Sequence, residues 1–415
     1  MRGNMRAFSL SQIYLKNRAH KDDFDSLAIG AASRKTPLSD LQHNYARTAW
    51  SYFQNFTNSS TGLAVYSDGE NRITPWEIGA QMNAIICAMR LGLVDAGEAT
   101  HLLNRALHTI AGLPRHKALP CARYDIVNAQ SMRKSANAPQ TFRLVAAFIA
   151  VAHYFPEFAP EIALILSRWK LRKYIRSGNL RLLPCGHRVA APEYGAADCL
   201  GFGQYAARAA CLVGLKADVA GELRDHLGAC RINGILIPID KRHRDDQLLM
   251  STVPLCLEAF GFGFCKDGRA LALAMFLAQK KHFQLTGTLT ALAPVPTERT
   301  SETINQGLSA TGPDGILCRI HGGENRADLR CVSTAAAFCH WAVAGGAYGQ
   351  KLLDAVDILA TQNGWQAGLF NHDARPNSVL SLNTNAVILE AIHFKCFGPL
   401  FPTTQAHLAQ PSLTD

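Results

Sequence analysis

Apolar residues recur at helical spacing from about Pro37 to residue 398, and most breaks in the pattern are a Gly or Pro followed by a polar start. The spacing predicts helices over 38–58, 75–93, 95–113, 138–154, 159–175, 200–215, 217–228, 246–262, 267–281, 328–345, 349–362 and 380–396. Two kinds of connection alternate between them. Tight turns such as Leu91-Gly-Leu-Val-Asp, Val213-Gly-Leu-Lys-Ala-Asp and Gly345-Gly-Ala-Tyr-Gly join some neighbours. Longer segments rich in Gly, Pro and extended residues, at 59–74, 114–137, 179–199, 229–244 and 283–327, join the others. The helices themselves also alternate. Those at 75–93, 138–154, 200–215, 328–345 and 380–396 are apolar or Ala-rich nearly all round, whereas 95–113 and 217–228 are amphipathic. Helices buried on every side next to helices buried on one predict an all-α fold, an (α/α)6 toroid of six hairpins. Short β-hairpins or extended segments are expected in the loops on one face, and the site where those loops gather over the inner helices' N-termini. A plain α-solenoid, or two bundles split near 229–244, would use the same helices differently. The expected organisation is a loosely ordered arm over 1–36, one toroidal domain over 37–402 and a flexible tail over 403–415.

With 415 residues, 48% hydrophobic and 18% charged, the chain carries enough apolar material for one large or two medium cores, which excludes disorder, collagen and coiled coil. The longest clean apolar stretch, Leu144 to Ala152, is about half the ~20 residues of a membrane-spanning helix. The N-terminal stretch shows no hydrophobic core or cleavage site of an export signal, so the sequence as it stands reads as cytoplasmic, and as periplasmic only if the true start differs. Twelve cysteines are spread singly with no Cys-x-x-Cys, which predicts structural thiols rather than zinc ligands or disulfides; no metal or other cofactor is expected. The formal charge is +10. It reads as diffuse, with its densest run, Arg168 to Arg181, predicted as an amphipathic helix burying Trp169, Leu171 and Tyr174 and exposing its cations to solvent. That run could instead contact phosphate or uronate groups, but no nucleic-acid partner is expected.

Several stretches occur in the order of a known family. They are Thr61-Gly-Leu-Ala-Val-Tyr-Ser-Asp with Thr74-Pro-Trp-Glu-Ile-Gly-Ala, Gly201-Phe-Gly-Gln-Tyr-Ala-Ala-Arg, and Val332-Ser-Thr-Ala-Ala-Ala-Phe. Gly364-Trp-Gln-Ala-Gly-Leu-Phe, Pro376-Asn and Leu382-Asn-Thr-Asn-Ala-Val-Ile-Leu-Glu-Ala follow. Together, over about 60 to 398, they resemble the bacterial domain of unknown function 3131 (DUF3131). The resemblance implies a likeness to six-hairpin glycosidases, in the neighbourhood of bacterial β-glucan-degrading enzymes, and an association with exopolysaccharide. Where that family carries an acidic run before Gln204-Tyr205, this chain has Ala197 to Gly203, leaving Asp198 and Glu193 as the nearest carboxylates.

Glycoside cleavage uses two carboxyl groups, ~5–5.5 Å apart for retention and ~6.5–9.5 Å for inversion. The catalytic candidates on the expected loop face are Glu77, Asp125, Glu193 and Asp198. Glu77 follows Trp76 at the start of an inner helix, a platform and an acid together, yet Thr74-Pro-Trp-Glu is also a capping box. Asp125 could serve with Tyr124 or be a turn residue, and Asp198 could be a cap. Candidates for sugar contact are Trp76, Tyr124, Tyr194, Asn383, Asn385 and, by resemblance, Trp365; Asn383 or Asn385 could equally cap the last helix, and Trp365 could be core. Glu390, mid-helix among apolar neighbours, reads as an internal partner for an Arg. Triads of the Gly-x-Ser-x-Gly kind, Walker loops and dinucleotide fingerprints are not found. Two functions stand side by side. One is a glycoside hydrolase or transglycosylase acting on a bacterial glucan or exopolysaccharide. The other is a catalytically degenerate polysaccharide-binding or assembly component of the same fold.

Overall fold

The computed structural model describes residues 37–183, 199–221, 227–240, 249–300, 303–320 and 323–401, together with Gln12, Lys16 and Asn17. Its helices are α1 (Asp40–Phe56), α2 (Pro75–Arg90), α3 (Ala96–Gly112), α4 (Ala138–Tyr154), α5 (Ala159–Ser167), α6 (Phe202–Cys211), α7 (Asp218–Gly221), α8 (Thr252–Phe262), α9 (Lys266–Thr286), α10 (Thr334–Cys339), α11 (Gly346–Val356) and α12 (Leu382–Phe397). The even-numbered helices contact one another in sequence, α2 to α4 and so on to α12, and α12 returns to α2. That closed circuit is the inner ring of a six-hairpin toroid. Each odd-numbered helix packs outside one inner helix, α1 on α12, α3 on α2, α5 on α4, α7 on α6, α9 on α8 and α11 on α10.

Sequence explains which helix goes where. In α2 every residue from Glu77 to Ala88 is buried, as a helix enclosed on all sides requires. In α3 the buried positions Ala99, Leu103, Ala106, Leu107 and Ile110 form one stripe, and Asp95 caps its start by accepting the Glu98 N–H at 2.8 Å. The inner helices approach closely where side chains vanish. A Cβ on Gly79 of α2 would lie 2.9 Å from the backbone oxygen of Arg143 on α4.

Three expectations are corrected. The fold is not all-α, because the long connections carry several small sheets as well as hairpins. One joins Cys199–Leu200, Leu249–Met250, Ile304–Leu308 and Ile316–Ile320; another joins Cys331–Ser333, Gly364–Phe370, Ala360–Thr361 and Pro376–Leu380. The helix expected over 217–228 is described only over Asp218–Gly221, and Leu227–Ile232, at its expected end, instead forms a hairpin with Ile235–Asp240. Asn233 and Gly234 turn it with φ of 51° and 82°, the left-handed pair that a two-residue hairpin needs. The basic run is not a helix either. After Ser167 the chain makes a 3-10 turn, Leu171–Tyr174, then a hairpin of Ile175–Arg176 with Asn179–Leu180, although Trp169, Leu171 and Tyr174 are buried as expected.

In the expected arm, Asn17 is buried and exchanges both amide hydrogen bonds with the Leu236 backbone, at 2.9 and 3.0 Å. The rest of that arm and the tail 403–415 lie outside the described residues, apart from Gln12 and Lys16. No described helix is long and apolar enough to cross a membrane.

Candidate functional site

Five inner helices begin at the ends of the long connections and the sixth, α12, after the strands of 360–380, so the N-termini of the ring and these connections share one face. The connections are tied to each other there. Ser67 and Ser381 form an antiparallel bridge, Asp68 N–H donates to Leu380 O at 3.1 Å, and Leu380 N–H donates to Asp68 Oδ1 at 3.0 Å. From further along the chain, the Thr303 hydroxyl meets the Tyr66 hydroxyl at 3.0 Å.

Glu77 stands at the centre of this junction, and the capping box read from Thr74-Pro-Trp-Glu is formed. Thr74 accepts the Trp76 N–H at 3.2 Å and, through its own N–H, donates to Glu77 Oε2 at 3.0 Å; its hydroxyl also bonds Oε2. The other oxygen, Oε1, accepts from Asn383 Nδ2 at 2.9 Å. The carboxylate is 5% exposed and joins the starts of α2 and α12. Around it lie residues that the sequence reading passed over: Tyr66, Asp68, Glu70 and Arg72. Arg72 forms an ion pair with Glu70, and its guanidinium carbon sits 4.2 Å from the Tyr66 ring centre. Burial raises the Tyr66 pKa, the Thr303 hydroxyl opposes it, and the charges of Glu77 and Glu70 reinforce it. The available signal was the turn Ser67-Asp-Gly-Glu just ahead of the strand Arg72–Ile73.

Trp76 is half-buried at the mouth of the ring, edge-on to Phe202 at 4.9 Å and tilted against Tyr205 at 5.9 Å. The Arg143 guanidinium lies 4.8 Å from its ring centre. Arg143 in turn pairs with Glu390 at 2.5 Å, both side chains at most 2% exposed, so Glu390 has the arginine partner expected of it. Burial pushes the Glu390 carboxyl up, against the pull of Arg143 and Asn83.

The remaining candidates are placed elsewhere. Tyr124 is fully buried; its hydroxyl donates to Pro114 O at 2.9 Å and accepts the Cys121 N–H at 2.6 Å. Trp365 is core, edge-on to Tyr45 and Phe338, with its indole N–H on Tyr45 O at 3.1 Å. Asn385 is fully buried and holds backbone, accepting the Trp365 N–H at 2.8 Å and donating to Ser381 O at 2.9 Å. These three therefore hold the scaffold rather than face a ligand. Asp125 is a turn residue, its Oδ1 accepting the N–H groups of Val127 and Asn128 at 2.8 and 3.1 Å. Glu193, Tyr194 and Asp198 lie outside the described residues. Among the described residues no three His, Cys, Asp or Glu side chains converge as a metal site.

Solved structures with this architecture include ones described as glucanases and glucoamylases. An endo-β-1,2-glucanase from Chitinophaga pinensis, in complex with sophorotriose and glucose, superposes with a TM-score of 0.64 at 13% identity, covering 88% of this chain and 94% of that one. A candidate glucoamylase from Bacteroides fragilis gives 0.60 at 15%, covering 88% and 93%. The endo-β-1,2-glucanase from Talaromyces funiculosus with sophorose gives 0.58 at 11%, covering 94% and 87%. At these identities the likeness is one of fold. No curated protein matches the chain by sequence. Over residues 44–398 the chain matches DUF3131, described as proteins of unknown function, and it belongs to that family.

Proposed function

We propose that the chain is a carbohydrate-active protein, a glycoside hydrolase or transglycosylase acting on a bacterial glucan or exopolysaccharide. The observation that carries this reading is Glu77, a carboxylate fixed at the mouth of a closed (α/α)6 ring by Thr74 and Asn383, with Asp68 and Glu70 on the adjoining turn. The architecture is shared with enzymes whose descriptions name β-1,2-glucan and its fragments. One carboxyl would protonate the leaving glycosidic oxygen while the second activates water or attacks the sugar carbon. Glu77 and either Glu70 or Asp68 are the pair proposed here, with Glu193 and Asp198 the further candidates from the sequence. Trp76 supplies the aromatic surface at the mouth, and Asn383 orients Glu77.

One observation favours the binding reading. Both Glu77 oxygens are already engaged by the protein, which suits a structural carboxylate. Reducing-sugar release from β-1,2-, β-1,3- and β-1,4-glucans and anionic exopolysaccharides, comparing wild type with Glu77→Gln and Glu70→Gln, separates the two. Release by the wild type that either substitution abolishes supports the enzyme. No release alongside measurable affinity for one polymer establishes the binder.

A further inference from the structure

The chain's positive charge is diffuse along the sequence and concentrated in space. Two described segments, 113–137 and 168–183, contain eleven Lys and Arg against the single acid Asp125, a local excess of +10, while the rest of the second connection adds Arg188, Glu193 and Asp198. The structure binds these segments together. Ala136–Asn137 pairs with Leu182–Leu183, Lys170 N–H donates to Ala118 O at 2.9 Å, and Lys173 Nζ donates to Lys117 O at 2.9 Å. Among the described residues none of the eleven forms an ion pair, and all but Arg123 and Arg181 are exposed.

The patch runs into the candidate site. The strand Arg72–Ile73, which leads directly into the Thr74 cap, pairs with Arg123–Asp125, and Arg123 stands opposite Arg133 on the next strand. Ile73 and Tyr124 are buried, which leaves Arg72, Arg123, Asp125 and Arg133 on the outer side. Like charges directly opposed across a sheet are destabilising. Burial lowers the Arg123 pKa and the neighbouring guanidiniums of Arg72 and Arg133 lower it further, against the pull of Glu70 and Glu77. Glu70 ion-pairs with Arg72, and among the described residues neither Arg123 nor Arg133 forms an ion pair of its own.

We propose that this face binds the acidic groups of a polyanionic polysaccharide, with Arg123 and Arg133 taking the groups nearest Glu77 and the 168–183 segment tracking the polymer away from it. The inference rests on the carbohydrate reading above and narrows its substrate class from glucans in general to anionic glycans. A nucleic acid suits the face less, because Tyr124, Trp169 and Tyr174 are all buried and no aromatic in these segments is free to stack on bases. An anionic lipid surface could use the exposed Val127 and Met132, but it suits the half-buried Arg72 and Arg123 beside the candidate site less well than a flexible polymer does.

The test is binding by the full chain to polygalacturonate and alginate, beside neutral β-1,2- and β-1,3-glucans, duplex DNA and phosphatidylserine vesicles, from about 50 to 200 mM salt. The expected result is preference for the acidic polymers, with affinity falling about tenfold or more across that range. Arg123→Gln with Arg133→Gln should lower acidic-polymer affinity about tenfold and leave neutral-glucan affinity unchanged. Lys170→Gln with Arg172→Gln, both exposed, should do the same if the first pair impairs folding. Neutral glucans bound as tightly as acidic ones would overturn the inference and leave the carbohydrate reading intact. Failure to bind any polysaccharide would overturn both, and tighter capture of DNA or vesicles would overturn the partner class.

Discussion

Substituting Arg143→Met tests how the centre of the ring is held. The change keeps most of the side-chain volume and removes the only cation that contacts Glu390 through a described hydrogen bond. A carboxyl this enclosed gives up its charge rather than stay ionised without a partner. The cost of protonating it grows with the distance of the pH from the 4.5 of the free group, at about 1.36 kcal/mol per unit. That sets a ceiling of about 3.4 kcal/mol at pH 7 and about 0.7 at pH 5. The wild type already carries part of this penalty, since burial raises Glu390 against the pull of Arg143. The sign follows from linkage. An acid whose folded pKa lies above its unfolded value gives stability that is complete below the unfolded value and lost as pH rises through the folded one. Arg143→Met raises the folded pKa further, so its destabilisation should widen from pH 5 to pH 7. Urea unfolding followed by tryptophan fluorescence at both pH values measures it. The double variant Arg143→Met with Glu390→Leu should remove the pH-dependent part, because no buried charge remains. A cost equal at both pH values, or a double variant with the same pH slope as the single one, refutes this reasoning.

Other substitutions probe the packing that presents the site. Gly79→Ala should destabilise by about 1–3 kcal/mol even though Ala is the better helix former by about 1 kcal/mol, since the new methyl meets the Arg143 backbone rather than a movable side chain. Thermal unfolding that shows stabilisation would mean that α2 and α4 can part at no cost. Asn385→Ala strands the buried Trp365 N–H, for an expected loss of about 1–3 kcal/mol, read by denaturation. An unchanged midpoint would show that the Gly364–Phe370 strand does not depend on that amide.

Much of the architecture is written in local pattern. Alternating short and long connections, and alternating all-round and one-sided burial, are consequences of placing one helix of each hairpin inside the ring, and both can be read residue by residue. The Thr74 capping box is equally local. What the chain does not declare is any contact whose partner is remote. Glu390 plainly needs a cation, but nothing in its neighbourhood names Arg143, and Asn383 on Glu77 is as distant. Local propensity also misleads where tertiary pairing overrides it: the Ala- and Leu-containing stretch before Cys230 reads as helix until the Asn233-Gly234 turn recruits it into a hairpin. Trp365, after Asn363-Gly364, fits a platform or the core equally by its local sequence, and only the family resemblance favours the platform. Only its place between Tyr45 and Phe338 decides for the core. The charge is the clearest case of concealment, since its two halves are separated along the chain by α4 and α5.

The ring closes by returning its last inner helix to its first, and this orders events during synthesis. Helices α2 and α4 can pair as soon as both have left the ribosome, but one side of α2 stays uncovered until α12 is made, some 300 residues later. Such distant closure is slow, and it leaves apolar surface waiting for its cover. Because Asn383 reaches Glu77 only across that final seam, a nascent or truncated chain lacks the assembled site, and any activity the protein has reports that the circle is complete.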